Sequence, residues 1–360
     1  MWYKNKLTEI LKIKYPIIQA GMAGGVTSAD LVAQVSECGG LGSIGAGYMS
    51  AAQLRAAVRE VKELTDKPFM VNLFVPEAAE TTEDAVGQAN ERLQSFYKLL
   101  DMEPAKIPLK NDVAVLEEQV AVVIEEQVPI CGFTFGIPDS HLMQRLKENK
   151  ISLLGTATTV EEARLNEAAG MDIIVAQGSE AGGHRGTFHH EDKDAMIGTM
   201  SLIPQVADHV TIPVVAAGGI MDGRGILAAL TLGAEAVQMG TAFLTTEESG
   251  ANPLHKEIIT ESSEDNIAVT KGFSGKAARG VKNEFIEKTA GHEGEFLPYP
   301  LQNSLTSPLR KEAAKQKRTE LMSLWAGQSP RLSKQQTVKT LMENLIEEIE
   351  QTIQHQKRFW

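Results

Sequence analysis

The sequence predicts an α/β chain folded as a (β/α)8 TIM barrel with a helical cap. Eight short apolar runs recur along it: PIIQAGM (16–22), GLGSIG (40–45), PFMVNLF (68–74), PICGFTFG (129–136), ISLLGTA (151–157), MDIIVAQG (171–178), PVVAAGGI (213–220) and AEAVQMGTAFL (234–244). Each is apolar on both faces, as strands of a parallel sheet covered by helices must be. Gly132, Leu153 and Ile174 hold equivalent places in three successive runs, 21 residues apart. That interval fits one strand, one helix and two turns. No G-x-G-x-x-G follows the first run, which disfavours an open dinucleotide-binding sheet.

The connections have helical signatures. In TTVEEARLNEAAG (158–170), Thr159 is the expected N-cap, Glu162 follows three residues later, and Gly170 is the stop. Two segments exceed a minimal barrel. Residues 75–127 are polar and glutamate-rich, with helical patterns such as ANERLQSFYKLL, and residues 246–360 follow the last strand. The division expected is a barrel of residues 10–74 and 128–245, with 75–127 and 246–360 forming a mainly helical cap beside the mouth. The last helix carries Val338, Leu341, Met342, Leu345, Ile346, Ile349 and Ile353 on one stripe. That stripe suits the cap and the outside of the barrel equally.

Composition limits the partners. A net charge of −12 over 360 residues disfavours nucleic acid and anionic membranes. The only cysteines, Cys38 and Cys131, form no CxxC pair, so no disulfide framework or cysteine-based zinc site is expected. With no signal peptide pattern and no membrane-length apolar run, the expected location is cytoplasmic, as a monomer or homodimer.

The stretch AAGGIMDGRGILAALTLGAEAVQMGTAFL (216–244) is the most specific local signal. Barrels often hold phosphate on the loops after strands seven and eight. Gly218 and Gly219 end strand seven, and Gly240 and Thr241 end strand eight with Gln238 and Met239 just before them. Gly223 and Gly225 open a helix whose N-terminus favours an anion. Amides at other strand ends, Gln19, Asn72 and Gln177, suit the polar edge of a flat ring, with Gly21 small beneath it and Met22 against its face. No lysine follows a strand on that side, which disfavours a pyridoxal Schiff base.

QAGMAGG, VAQGSEAGGHRGTF, AAGGIMDGRG, VQMGTAFL and LPYPLQNSL together resemble the nitronate monooxygenase family, over roughly residues 10–310. The resemblance implies an FMN-binding TIM barrel that oxidises alkyl nitronates with O2, giving a carbonyl compound and nitrite. It implies FMN contacts at Met22, Asn72, Gln177, Gly182, Gly219 and the Gln238–Thr241 segment, with His184 as the catalytic histidine. Tyr299 and Asn303 fall on the substrate side. The glycines around His184 then let its loop approach the flavin, and His184 either holds the nitronate or acts as a base. The flavin-dependent enoyl-acyl-carrier-protein reductases share AGGH and are the alternative, as is a barrel that binds FMN without turnover. Arg185 is expected to pair with a carboxylate such as Glu180. KGFSGKAARGVKN (271–283) is a basic, glycine-rich loop that either covers the cofactor phosphate or is solvated, the solvated reading being favoured, and no metal is expected at His184, His189 and His190 because no carboxylate stands at a ligand spacing.

Overall fold

In the computed structural model, which describes residues 1–77, 79, 81–105 and 112–356, every apolar run contains one strand of a single parallel sheet. These are β1 (Ile17–Gln19), β2 (Gly42–Gly45), β3 (Phe69–Phe74), β4 (Ile130–Thr134), β5 (Ser152–Ala157), β6 (Ile173–Gln177), β7 (Val214–Ala217) and β8 (Ala236–Met239). Neighbours follow the order β1-β8-β7-β6-β5-β4-β3-β2. A parallel bridge between Ile18 and Leu41 joins the two ends and closes the barrel.

Gln19 completes that seam. Its side chain accepts from Ser43 N at 2.9 Å and donates to Ser43 O at 3.2 Å, fully buried between β1 and β2. It does not face the mouth, because alternation along β1 gives the interior to Ile18. The expectation of a ring-facing amide at Gln19 is corrected accordingly.

Alternation also grades the barrel interior. Ile18, Met70, Ile130, Leu154, Ile173, Val215 and Ala236 pack with Leu7 and Leu11 of the helix Lys6–Leu11, which plugs the floor. Nearer the C-terminal ends the inward positions become polar: Asn72, Thr134, Thr156, Gln177 and Gln238. Outward residues such as Val71, Phe133, Ile174 and Val237 meet the helices. Thr159 caps Val160–Ala169 through Glu162 N, and Gly170 ends that helix at φ 95°, as the sequence predicts.

A separate apolar cluster joins the helix Glu83–Leu99 to the C-terminal elements, including Phe273, Phe285, Leu305 and Leu324. The helix Asp112–Glu125, from the same insertion, packs instead on the barrel through Leu116 and Val120. The final helix, Val338–Gln356, buries Val338, Leu341, Met342, Leu345 and Ile349 against the barrel helices. No helix among the described residues is long and apolar enough to cross a membrane.

Candidate active site

Gly183 and His184 are not a free loop. They form an edge strand, paired antiparallel with Ala278–Val281, which in turn pairs with Ile267–Thr270. The segment 271–283 is therefore a wall of the site, which corrects its reading as a solvated loop. Ser274 is 1% exposed, and its Oγ lies 2.9 Å from His184 Nε2. The same hydroxyl reaches Lys276 O at 3.0 Å, so its one proton can serve either acceptor and the His184 tautomer follows that choice. Lys276 is buried, paired with Glu77 at 2.6 Å and set over the Phe135 ring.

Aromatic rings surround the imidazole. Trp325, Phe135 and Tyr299 have ring centroids 5.5, 5.8 and 5.9 Å from that of His184. Phe74 extends this wall from Phe135 to Tyr48, and the Tyr48 and Tyr299 phenols share a hydrogen bond. Tyr48 keeps 41% of its accessible surface, yet desolvation raises its phenol above the ordinary value. Desolvation pushes His184 down to about 3, helped by the charges of Arg310 and Lys276 and opposed by Asp192. The imidazole is neutral at physiological pH.

Arg310 was not singled out from the sequence. Its Nη2 donates to Asn303 O at 3.0 Å and Asn303 Oδ1 at 2.7 Å, while its buried Nε meets no acceptor. No carboxylate lies within ion-pair distance of it among the described residues. Asn303 therefore positions a cation, and Tyr48 from the barrel meets Tyr299 and Arg310 from the C-terminal segment beside His184.

Three hydrogen-bond systems fix the loop after β6. Gln177 donates to His184 O at 3.1 Å and accepts from Gly186 N at 2.8 Å, so its amide is committed to the loop. Arg185 is 1% exposed and donates to the carbonyls of Gly178, Gln177 and Ala195 at 2.5–2.9 Å. It does not pair with Glu180, whose carboxylate instead caps Thr199 N. That expectation is corrected: a guanidinium's five donors suit several carbonyls around a tight turn better than one carboxylate. Fully buried Glu162 accepts from Thr187 Oγ1, Phe188 N and His189 N, as well as from Thr158 N and Oγ1. Burial alone would raise its pKa, but these donors hold it below the usual carboxylate value.

The expected cofactor residues divide by location. Gly218 and Gly219 have φ of 120° and 70°, a left-handed turn at the end of β7. The amides of Gly219, Gly240 and Thr241 meet no acceptor among the described residues, and Thr241 Oγ1 accepts from Gly327 N. Asn72 donates to Thr134 Oγ1 at 3.3 Å, and its side chain fills space that a Cβ at Gly21 or Gly132 would take. Met22 sits beside Gly240. The Met239 side chain is buried in the helix layer, so only its backbone reaches the mouth. A Cβ at Gly182 would meet the Ala326–Gly327 backbone at 2.6 Å. The crossing C-terminal segment thus requires a glycine there, in addition to any approach of a cofactor. The helix at Gly223 is already capped, by Glu348 on Gly223 N and Asp222 on Arg224 N and Gly225 N, so the anion expected there is protein carboxylate.

The family model described as nitronate monooxygenase matches residues 4–348. A probable nitronate monooxygenase from Staphylococcus haemolyticus is 54% identical over 351 residues, covering 97% of this chain and 98% of that protein. The crystal structure of a nitroalkane oxidase from Streptomyces ansochromogenes is similar at TM-score 0.90 and 40% identity, covering 98% of this chain and 99% of that one. FabK from Thermotoga maritima follows at TM-score 0.79 and 33% identity, with 99% of each chain covered. The fold, the order of the motifs and the matched length agree: this chain belongs to the nitronate monooxygenase family.

Proposed function

We propose that this protein oxidises alkyl nitronates with molecular oxygen, giving a carbonyl compound and nitrite, with FMN held at the barrel mouth. The observation that carries this reading is a neutral imidazole, His184, within electrostatic reach of Arg310, a cation that has no carboxylate partner among the described residues. Such a pairing favours a small anion.

The mouth fits the cofactor. Amides at Gly219, Gly240 and Thr241, without an acceptor among the described residues, offer donors to a phosphate. Asn72 and Gln238 supply polar groups inside the rim, and Met22 an apolar face. When bound, the flavin supplies the redox chemistry. The chain's own residues do the rest. Arg310 balances the charge on the nitronate oxygens, and the Tyr48–Tyr299 pair and His184 orient them by hydrogen bonding. The wall of Phe74, Phe135 and Trp325 excludes water and strengthens those interactions. Cations beside His184 oppose its protonation, which supports a substrate arriving already as the anion over a neutral nitroalkane that His184 must deprotonate.

The purified protein should be yellow, and anaerobic propionate 3-nitronate should bleach its visible band. In air the same substrate should yield nitrite. His184→Asn should lower turnover while the colour stays. A colourless protein, or one that oxidises NAD(P)H rapidly with an enoyl thioester and releases no nitrite, would overturn the reading.

A further inference from the structure

We propose that Glu161, His189 and His190 form a binding site for one late first-row divalent metal ion, zinc being the simplest. The site lies on the outer side of the loop that carries His184, and the proposal does not depend on the flavin reading.

The donor geometry comes first. His189 Nε2 lies 3.1 Å from Glu161 Oε1, and His190 Nε2 lies 3.2 Å from Glu161 Oε2. One donor atom from each residue falls within 4.8 Å of the others. In a tetrahedral site with metal–ligand bonds of about 2.0–2.1 Å, ligand atoms stand about 3.3 Å apart. Small side-chain adjustments therefore place one ion among all three. The two imidazoles lie at 82° with centroids 5.1 Å apart, turned toward the carboxylate rather than stacked. Two imidazoles and one carboxylate suit zinc, nickel or copper, whereas magnesium and calcium prefer all-oxygen sites.

The frame is also built in advance. Glu161 stands in the first turn of Val160–Ala169, and its neighbour Glu162 is fully buried. Glu162 Oε1 accepts from Phe188 N at 2.7 Å and His189 N at 3.0 Å. The backbone of the histidine pair is thus tied to the helix that supplies the third ligand, so little ordering is left for the ion to impose. The Glu161, His189 and His190 side chains remain 59%, 46% and 30% exposed, which leaves an entry path and a coordination position for water. A bound ion would fasten the loop to this helix from outside, as Glu162 does from within.

The test uses the full flavin-loaded chain with zinc chloride, in competition with a chromogenic zinc chelator at pH 7.5. One zinc per chain is expected, with affinity falling at least tenfold in Glu161→Gln and in His190→Asn. Zinc should raise the melting temperature of the wild type and of neither variant, while the metal-free circular dichroism spectra of all three are the same. Equal zinc affinity in wild type and both variants, or no zinc uptake by the wild type, would overturn the proposal.

Discussion

His184 behaves as its surroundings require. An imidazole whose proton affinity has fallen to about 3 does not titrate between pH 5 and 9. With a preformed nitronate, kcat/KM should therefore show no acid limb near pH 6.5 that vanishes in His184→Asn; observing one would place the proton on His184 in the working enzyme. Arg310 carries the complementary prediction. Replacing it with methionine removes charge-assisted contacts worth about 1.5–3 kcal/mol, so kcat/KM for nitronate should fall about 10- to 100-fold. Flavin content should be unchanged, because the residues assigned to FMN lie on the barrel strands and their loops, apart from Arg310. Loss of flavin along with activity would move Arg310 from substrate to cofactor.

Among the elements, the loop after β6 is held by buried polar groups rather than by apolar packing, and this makes it brittle. Glu162→Gln leaves several donors facing an uncharged amide that can accept fewer of them. A loss of about 1.5–3 kcal/mol is expected in denaturant titration, with turnover falling as the His184 strand loosens. Gly182→Ala separates two explanations of one glycine. The added methyl would meet backbone at 2.6 Å, so overpacking should cost about 1–3 kcal/mol. The folded fraction should retain its flavin; if the variant were stable but colourless, the glycine would serve the cofactor after all.

At the level of the whole molecule, acid should weaken the fold before it reaches the ordinary carboxylate range. His255, 6% exposed and bonded to Trp325 O, is lowered to about 4 by burial, and His184 to about 3. Between pH 6.5 and those values the unfolded chain binds protons that the folded chain refuses, so stability is present above pH 6.5 and is lost as pH falls. His255 alone accounts for about 3 kcal/mol across its window. Glu162, with its pKa lowered, adds a further loss below the usual glutamate value. His255→Gln should flatten the decline in melting temperature between pH 6.5 and 4; an unchanged slope would show that His255 is protonated in the folded state.

The sequence by itself determined the barrel. Strand and helix periods are local properties, and all eight strands lie inside the apolar runs read from them. It also determined the family, because the glycine-rich motifs survive as contiguous words. Side-chain destinations were decided only by tertiary structure. Gln19 reads as a mouth amide until Ser43 takes both its hydrogen-bonding groups, and Arg185 reads as half of an ion pair until three carbonyls converge on it. Tyr48 and Arg310 carry no local signal, since what makes them functional is desolvation beside residues more than a hundred positions away. Burial and hydrogen-bond partnership belong to packing, and packing is settled when distant segments close on one another.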